Sequence, residues 1–579
     1  MGAAAELLVE CETANDTWTD LTPDVLASEG LRIHYGITGD KPLDVTAGTG
    51  ECGFTLLGLK YSFHHADALT GFTFGAGIRV VMYRTTDTAQ SVSSITRSGS
   101  TATVTTSSSH GYSTDDWVTI AGAAEAGYDG KAFQVTVTAA TTFTYSVGTL
   151  TPATPASGTI TARLGYVKHW GKLRSANPNP GAYRAHTVRV VSYDRIRDLA
   201  ETKVRAIDVA IDKTESELLT LMLDSLPATA QPLRRSFATG VDTFPYAFDE
   251  LENGAPALTI AKRIAVSAFA TIHMKGDATL VLQSRDTRSS GASVYTFDET
   301  MTGLTTASSV DELVNNVTTT IHPRTIDAAA TTVIASTTGT PVAVSAGETL
   351  TLYLTYRNPT DERTLIGGTA IVNCTAVTDF LANASADGSG ANTTSDLTIT
   401  TTAYASTAKL AIANSGTVTS HLVNASGAAF CQLRGKGIYQ LSSQSFEAVS
   451  AQPYGDKAIS IDLGYQSSPG DAQSYALVVE NAYNDQPSAQ LQSLTIVGNS
   501  SDNLLQQVLA REPGDVISIT ESTVGASSLD MVIQSVTLDV TAGPWVTCTY
   551  GLAPATLAAI WLLGTTGRSE LDETTILGW

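Results

Sequence analysis

The stretch GTGECG, Gly48 to Gly53, and the FTLLGLKYSF that follows it, Phe54 to Phe63, decide how this chain is read. GTGECG is a full match to G-x-G-x-x-G, the spacing of a dinucleotide loop. Asp67 lies near the distance at which an acidic residue would complete that fingerprint. Such a loop works only where a strand enters it and a helix leaves it, because the helix N-terminus supplies N–H donors and a positive dipole to the phosphates. PLDV, residues 42–45, enters as a strand should. FTLLGLKYSF, with its aromatic and β-preferring residues and a further glycine at Gly58, reads as a second strand. The helix is missing, and the anion donors with it. The expectation is therefore a glycine-rich turn between two strands, with the glycines supplying positive φ. Cys52 and Phe54 then fall on one face and Gly53 and Thr55 on the other.

Composition agrees with a β reading. The 579 residues suggest roughly four domains of ~150 residues, each large enough to bury its own core. Charged residues are only 16%, while Thr, Val, Ser, Ala and Gly abound, which favours short strands joined by turns. The net charge of −22 argues against a sequence-independent nucleic-acid binder, which needs clustered Lys and Arg. The five cysteines, Cys11, Cys52, Cys374, Cys431 and Cys548, are odd in number and widely spaced, with no C-x-x-C pair. Buried free thiols are expected, and neither a zinc site nor a disulfide framework. MGAAAELLVECETAND carries no export signal, and the longest apolar stretch, APATLAAIWLL near the C-terminus, is far short of a membrane span. The expectation is a soluble protein made in the cytoplasm, with no membrane anchor.

Along the chain, LRIHYGI, CGFTLLGLKYSF and GIRVVMYRT read as strands. Residues 88–162 then change character, becoming Thr/Ser/Ala/Gly-rich with strict alternation. SITRSGSTATVTT reads as a hairpin about Ser98-Gly99. Phe133, Val135 and Val137 share one face of a strand, as do Phe143, Tyr145 and Val147. The earlier style resumes at RLGYVKHWGKL, so 88–162 reads as a small β module inserted into a domain formed by 1–87 and 163–235. TESELLTLMLDS, residues 214–225, reads as a helix with a Thr214/Glu217 capping box, and 257–272 as a second helix. Residues 236–445 form a central β-rich domain. Residues 446–579 form a last block of strands with one helix, DAQSYALVVENAY. The fold class is mainly β and multidomain.

Local chemistry is sparse. His64 and His65 are adjacent, and from a regular strand they would point to opposite faces and could not chelate one metal. HGYSTDDW, His110 to Trp117, gathers His, Tyr, Asp and Trp, but a turn entering a strand accounts for Gly111, Ser113 and Asp115. If that segment is functional, Tyr112 and Trp117 would form a sugar-stacking surface. DGSGANTTSD, residues 387–396, is oxygen-rich but lacks EF-hand spacing. H-E-x-x-H, G-x-S-x-G and the P-loop signature are all absent. No catalytic residue, cofactor or metal is assigned, and the chain is read as not an enzyme.

Several segments in colinear order resemble the tail-tip (baseplate) hub, or minor tail protein, family of siphophages. They are TWTDLTPDVLASEGLRIHYG, LDVTAGTGECGFTLL, FGAGIRVVMY, YRAHTVRVVSYDRIRDLAE, IAKRIAVSAFATIHMKGDATLVLQSR, AQPYGDKAISIDLGY, REPGDVISIT and GLAPATLAAIWLLGTTGRSELDETTILGW. The module 88–162 resembles a small β module of phage structural proteins, in which His110, Gly111, Tyr112 and Asp116 fit the pattern and Asp115 stands in place of a usual glycine. The resemblance implies two tail-tube-like β-barrels per chain, each with a helix, and a homotrimer presenting a pseudo-sixfold ring to the hexameric tail tube. It implies as partners the tube or a distal tail protein ring above, tip or fibre proteins and the tape measure protein. DNA would pass through without specific binding, in a virion tail tip assembled from protein made in the host cytoplasm. Two other readings stay open: a receptor- or glycan-binding tail component acting through 88–162, and a tail-associated cell-wall hydrolase.

Overall fold

The computed structural model describes residues 3–39, 43–179, 186–205, 207–249, 254–289, 291–298, 300–307, 313–451, 454–484, 490–524 and 526–555. Most of the apolar APATLAAIWLL stretch, and the C-terminal segment after it, lie outside the described residues. The chain is mainly β, and its apolar side chains collect into several separate cores.

The strand after GTGECG is Glu51–Leu57, with Cys52 and Phe54 fully buried. It is shorter than the sequence suggests. Gly58, at φ 113°, breaks the extended run, and Leu59–Tyr61 form a 3-10 turn. Residues 43–45 likewise form no strand, and an isolated bridge pairs the next residue, Thr46, with Ile272.

Glu51–Leu57 sits within one antiparallel sheet that uses both ends of the chain. Successive neighbours are Ala5–Ala14, Gly77–Arg84, Gly158–Asn179, Thr187–Tyr193, Glu51–Leu57, Leu31–Gly36, Ala526–Thr541, Trp545–Pro554 and Gln490–Val497. The joint is the pairing of Leu31–Gly36 with Ser535–Val540. Val9, Ile33, Phe54 and Val190 from the first end share a core with Leu494, Ile517, Leu538 and Tyr550 from the second. The helix Asp502–Ala510 buries Leu504, Leu505, Val508 and Leu509 in that same core. Its start is set by Ser501, whose hydroxyl accepts the Leu504 N–H, and by Asp502 at the positive end of the dipole.

The inserted module forms its own core around Ile95, Val104, Val118, Phe143 and Tyr145. Its first hairpin joins Gln90–Ser98 to Thr101–Thr106 through Gly99 at φ 60°. The long strand Gly158–Asn179 belongs to both the module and the main sheet. Its first residues pair with Trp117–Ala123, and its later ones pair with Gly77–Arg84 and Thr187–Tyr193. A boundary at 162 therefore falls inside a continuous strand, and the module is tied to its host by covalent β-structure.

In the middle of the chain, the helices Glu215–Asp224 and Ala257–Ala268 share a core with Phe244, Ile272 and Leu280. Both arms of the Thr214/Glu217 capping box are present. Thr214→Ala is expected to cost about 1 kcal/mol in thermal or urea unfolding, the usual effect of a lost N-cap. The strand Arg234–Phe237 pairs with Thr279–Gln283, so a boundary at 235 also cuts an element. Ile334, Tyr356, Phe380, Leu410, Leu422 and Leu433 fill a β-sandwich core within the 325–445 region. The helix Pro469–Tyr483 packs on Asn316–Ile321 and its partners Gln444–Val449 and Ala458–Leu463. It does not lie on the C-terminal strands with which sequence order groups it.

Candidate functional site

The glycines of GTGECG have a different role from the one their pattern suggests. None of Gly48, Gly50 and Gly53 lies in the left-handed region. A Cβ on Gly50 would stand 2.5 Å from Asp194 Oδ2 and 2.9 Å from Tyr35 Cβ, and one on Gly53 would stand 2.7 Å from Arg189 Nη2. At Gly50 the Asp194 carboxylate and the Tyr35 Cβ occupy the space, at Gly53 only the tip of the exposed Arg189 side chain is near, and Gly48 has open space around it. Asp67, the remaining part of the fingerprint, is exposed in a turn and its backbone N–H donates to His65 Nδ1 at 3.2 Å. His64 and His65 lie in that turn, not in a strand.

Asp194, beside Gly50, is buried, and the Ile196 N–H donates to its Oδ1 at 3.1 Å. Burial raises its carboxyl to about 8, against the opposing pull of backbone N–H groups from Gly50, Ile196 and Arg197. A raised folded-state pKa means that the folded protein holds a proton which the unfolded chain gives up. The stabilising contribution is complete below about pH 4 and is lost as pH rises toward about 8. Asp194→Asn should flatten this dependence. Between pH 5 and 7 the parent protein should lose up to about 2–3 kcal/mol that the variant keeps, measured by urea unfolding at each pH.

Both aromatic side chains of HGYSTDDW have partners within the fold. Tyr112 is half-buried against Phe143, stacks on His110 with ring centroids 4.9 Å apart, and donates its hydroxyl to Ala162 O at 2.8 Å. Trp117 is 7% exposed, and its indole N–H donates to Asp277 Oδ2 at 3.2 Å. The two rings are committed to separate internal partners. Asp115, at φ 76°, and Asp116, whose Oδ2 accepts the Ser113 N–H at 2.8 Å, belong to the turn before the strand. They line a polar cavity of about 250 Å³ together with Lys275, Asp277 and Glu512.

Trp117 is instead one end of a ladder of alternating rings and guanidinium groups. Arg234 lies 4.3 Å from the Trp117 ring and 4.7 Å from Trp170, and Arg79 lies 5.0 Å from Trp170 and 4.1 Å from Trp18. Arg79 is also paired with buried Glu10 at 2.6 Å. Each such contact contributes about 0.5–2 kcal/mol when desolvated. The ladder fixes the module against the main sheet. Its members are spread from residue 18 to residue 234, so no local motif announces it.

A second junction is built on Lys168, whose side chain is fully buried. Its Nζ donates to Glu512 Oε1 at 2.6 Å, Arg511 O at 3.1 Å and Leu509 O at 3.2 Å, while Glu512 Oε2 accepts the Gly276 N–H at 3.1 Å. Three distant parts of the chain meet there. An apolar cavity of about 340 Å³ opens between the first strand and the C-terminal hairpin, lined by Ala5, Leu7, Val25, Leu31, Val540 and Pro544.

In the loop 387–396, Asp387 Oδ1 accepts from the Ser389 N–H and hydroxyl, so that oxygen serves the loop itself. Among the described residues, no group of three or more His, Cys, Asp or Glu side chains is placed to hold a metal ion. No helix among them is long and apolar enough to cross a membrane. Cys11, Cys52, Cys431 and Cys548 are buried, Cys374 is half-buried, and all five are free thiols. What the arrangement provides is rigid joints between sheets.

No protein-family model and no curated protein matches the chain. Solved structures do resemble it. The 43 kDa tail protein of prophage MuSo2 from Shewanella oneidensis aligns over 95% of this chain and 99% of its own, with a TM-score of 0.41 and 8% identity. The tail protein from Neisseria meningitidis MC58 aligns over 95% and 96%, with a TM-score of 0.42 and 8% identity. Prophage tail protein gp18 from Listeria monocytogenes EGD-e aligns over 94% of each chain, with a TM-score of 0.39 and 6% identity.

Proposed function

We propose that the chain is the structural hub of a phage tail tip, joining the hexameric tail tube to the tip complex and forming part of the DNA-ejection channel. The observation that carries the reading is the single antiparallel sheet assembled from both ends of the chain through the Leu31–Gly36 and Ser535–Val540 pairing. It supplies one stiff wall per chain, with the two end blocks as its halves, in keeping with the colinear resemblance of both ends to tail hubs. Three such walls around an axis give six blocks facing a hexameric tube. A net charge of −22 per chain suits a channel that repels DNA phosphates and lets DNA slide. The ring and guanidinium ladder and the Lys168 junction serve the same end, holding modules in register under load. The role is mechanical, with no catalytic step.

Native mass spectrometry of the purified protein tests the reading. The expected result is a stable species of three times the 60.5 kDa chain mass. Electron microscopy of the assembled particle should then place this chain as threefold density at the tail tip, with acidic side chains lining the channel. A stable monomer together with no threefold density overturns the proposal, and a neutral or basic channel wall overturns the charge argument.

A further inference from the structure

Two of the five cysteines meet in the central sandwich. The chain turns through residues 375–379, anchored by Asp379, which is buried and held by Arg434 at 2.6 and 2.8 Å and by the Thr375 N–H at 2.9 Å. That turn lays Cys374 beside the strand Gln432–Gln440 and the residue that precedes it. Cys374 Sγ contacts Gln432 O at 3.5 Å, the Val372 N–H donates to Arg434 O, and Phe380 bridges Cys431. The Thr401 hydroxyl lies 4.0 Å from the Cys374 sulfur, and Cys431 is the residue immediately before Gln432, so the two cysteines flank one contact. Cys374 is half-buried, next to the exposed residues 375–378, while Cys431 is buried at 1%.

We propose that Cys374 and Cys431 are a redox modification site that closes reversibly to a disulfide, with Cys374 as the thiol that attacks first. The oxidant is a small-molecule disulfide. The Cys374 thiolate attacks one of its sulfurs and expels the first thiolate, leaving a mixed disulfide on Cys374. Cys431 then gives up its proton and attacks Cys374 Sγ, expelling the second thiolate. Two protein thiols are oxidised, one disulfide is reduced to two thiols, and the two protons pass to the leaving groups. The order follows from access and acidity. Interaction with the Cys431 thiol holds the Cys374 thiol below its usual pKa, and interaction with Cys374 together with burial pushes Cys431 up. Burial pushes Cys11 and Cys548 up to about 12 and raises Cys52 as well, so these three act as internal controls. The bond would staple the segment around Cys374 to the start of the strand Gln432–Gln440, and this does not depend on the tail-hub reading.

The test is to incubate the full-length protein with oxidised glutathione and map its peptides. The expected result is loss of two of the five thiols together, a cross-linked Cys374–Cys431 peptide, recovery with dithiothreitol, and a melting transition raised by about 5 °C or more. Cys374→Ser should take up no glutathione, and Cys431→Ser should retain it on Cys374. Unchanged thiols, a persistent glutathione adduct on Cys374 of the unsubstituted protein, or a cross-link involving any other cysteine overturns the proposal. The peptide map of the unsubstituted protein decides the matter even if Cys431→Ser fails to fold.

Discussion

Lys168→Met lowers the stability of the folded chain by about 3–5 kcal/mol, the usual consequence of removing one partner from a buried ion pair. The lysine has no exposed side-chain surface, and Glu512 keeps only an edge on the polar cavity. The substitution also strips Leu509 O and Arg511 O, the carbonyls at the end of the Asp502–Ala510 helix, of their cationic donor. Methionine keeps most of the volume, which separates the charge effect from a cavity. Adding Glu512→Leu should recover much of the loss, because a buried pair replaced by apolar groups of similar size is often near neutral. Recovery should be incomplete, since Glu512 also accepts the Gly276 N–H. Urea unfolding of the two single variants and the double variant gives the coupling. Independent, additive losses would show that the junction does not act as a unit.

The parts of the fold legible in the sequence are those whose signals are local. The Thr214 capping box, the Ser98-Gly99 hairpin and the alternating faces of Phe143, Tyr145 and Val147 all depend on residues within a few positions of each other. The Asp502–Ala510 helix carried equally local signals, with Ser501 as cap and Leu504, Leu505, Val508 and Leu509 at helical spacing. The β-rich flanks QLQSLTIVG and DVISIT obscured them. What connects the blocks was not legible. Pairing Leu31 with Val540 joins strands about 500 positions apart, and the placement of the Pro469–Tyr483 helix depends on a sheet begun at Asn316. The surroundings of Tyr112 and Trp117 are hidden for the same reason. Their partners, Ala162, Asp277 and Arg234, are set by tertiary structure, and an aromatic ring in a turn-rich segment looks identical in sequence whether it faces solvent or Arg234.

Gly36→Ala should unfold the joint between the two ends of the chain, at a cost of about 3 kcal/mol or more, whereas Gly48→Ala should change stability by no more than about 0.5 kcal/mol. The two glycines look alike in sequence, each beside a strand of the same sheet, but their surroundings differ. Gly36 sits at φ 110°, where a side chain is strained, and a Cβ there would stand 2.4 Å from Gln534 O and 2.7 Å from Ser535 Cα. Both are backbone atoms and cannot rotate away. Gln534 lies at the register shift between Ile533 and Ser535, and its carbonyl accepts the Ile37 N–H at 2.8 Å. Relief of the clash would require moving that irregular segment of the strand, and with it the pairing from Leu31 to Gly36 that joins the ends of the chain. Gly48 is outside the left-handed region with nothing within 4 Å of its would-be Cβ. A nucleotide-loop reading makes Gly48 indispensable and says nothing of Gly36, so the two variants, compared by thermal and urea unfolding, separate the readings. A large loss at Gly48 with little change at Gly36 would mean that the sheet is not joined where the Leu31–Gly36 and Ser535–Val540 pairing places it.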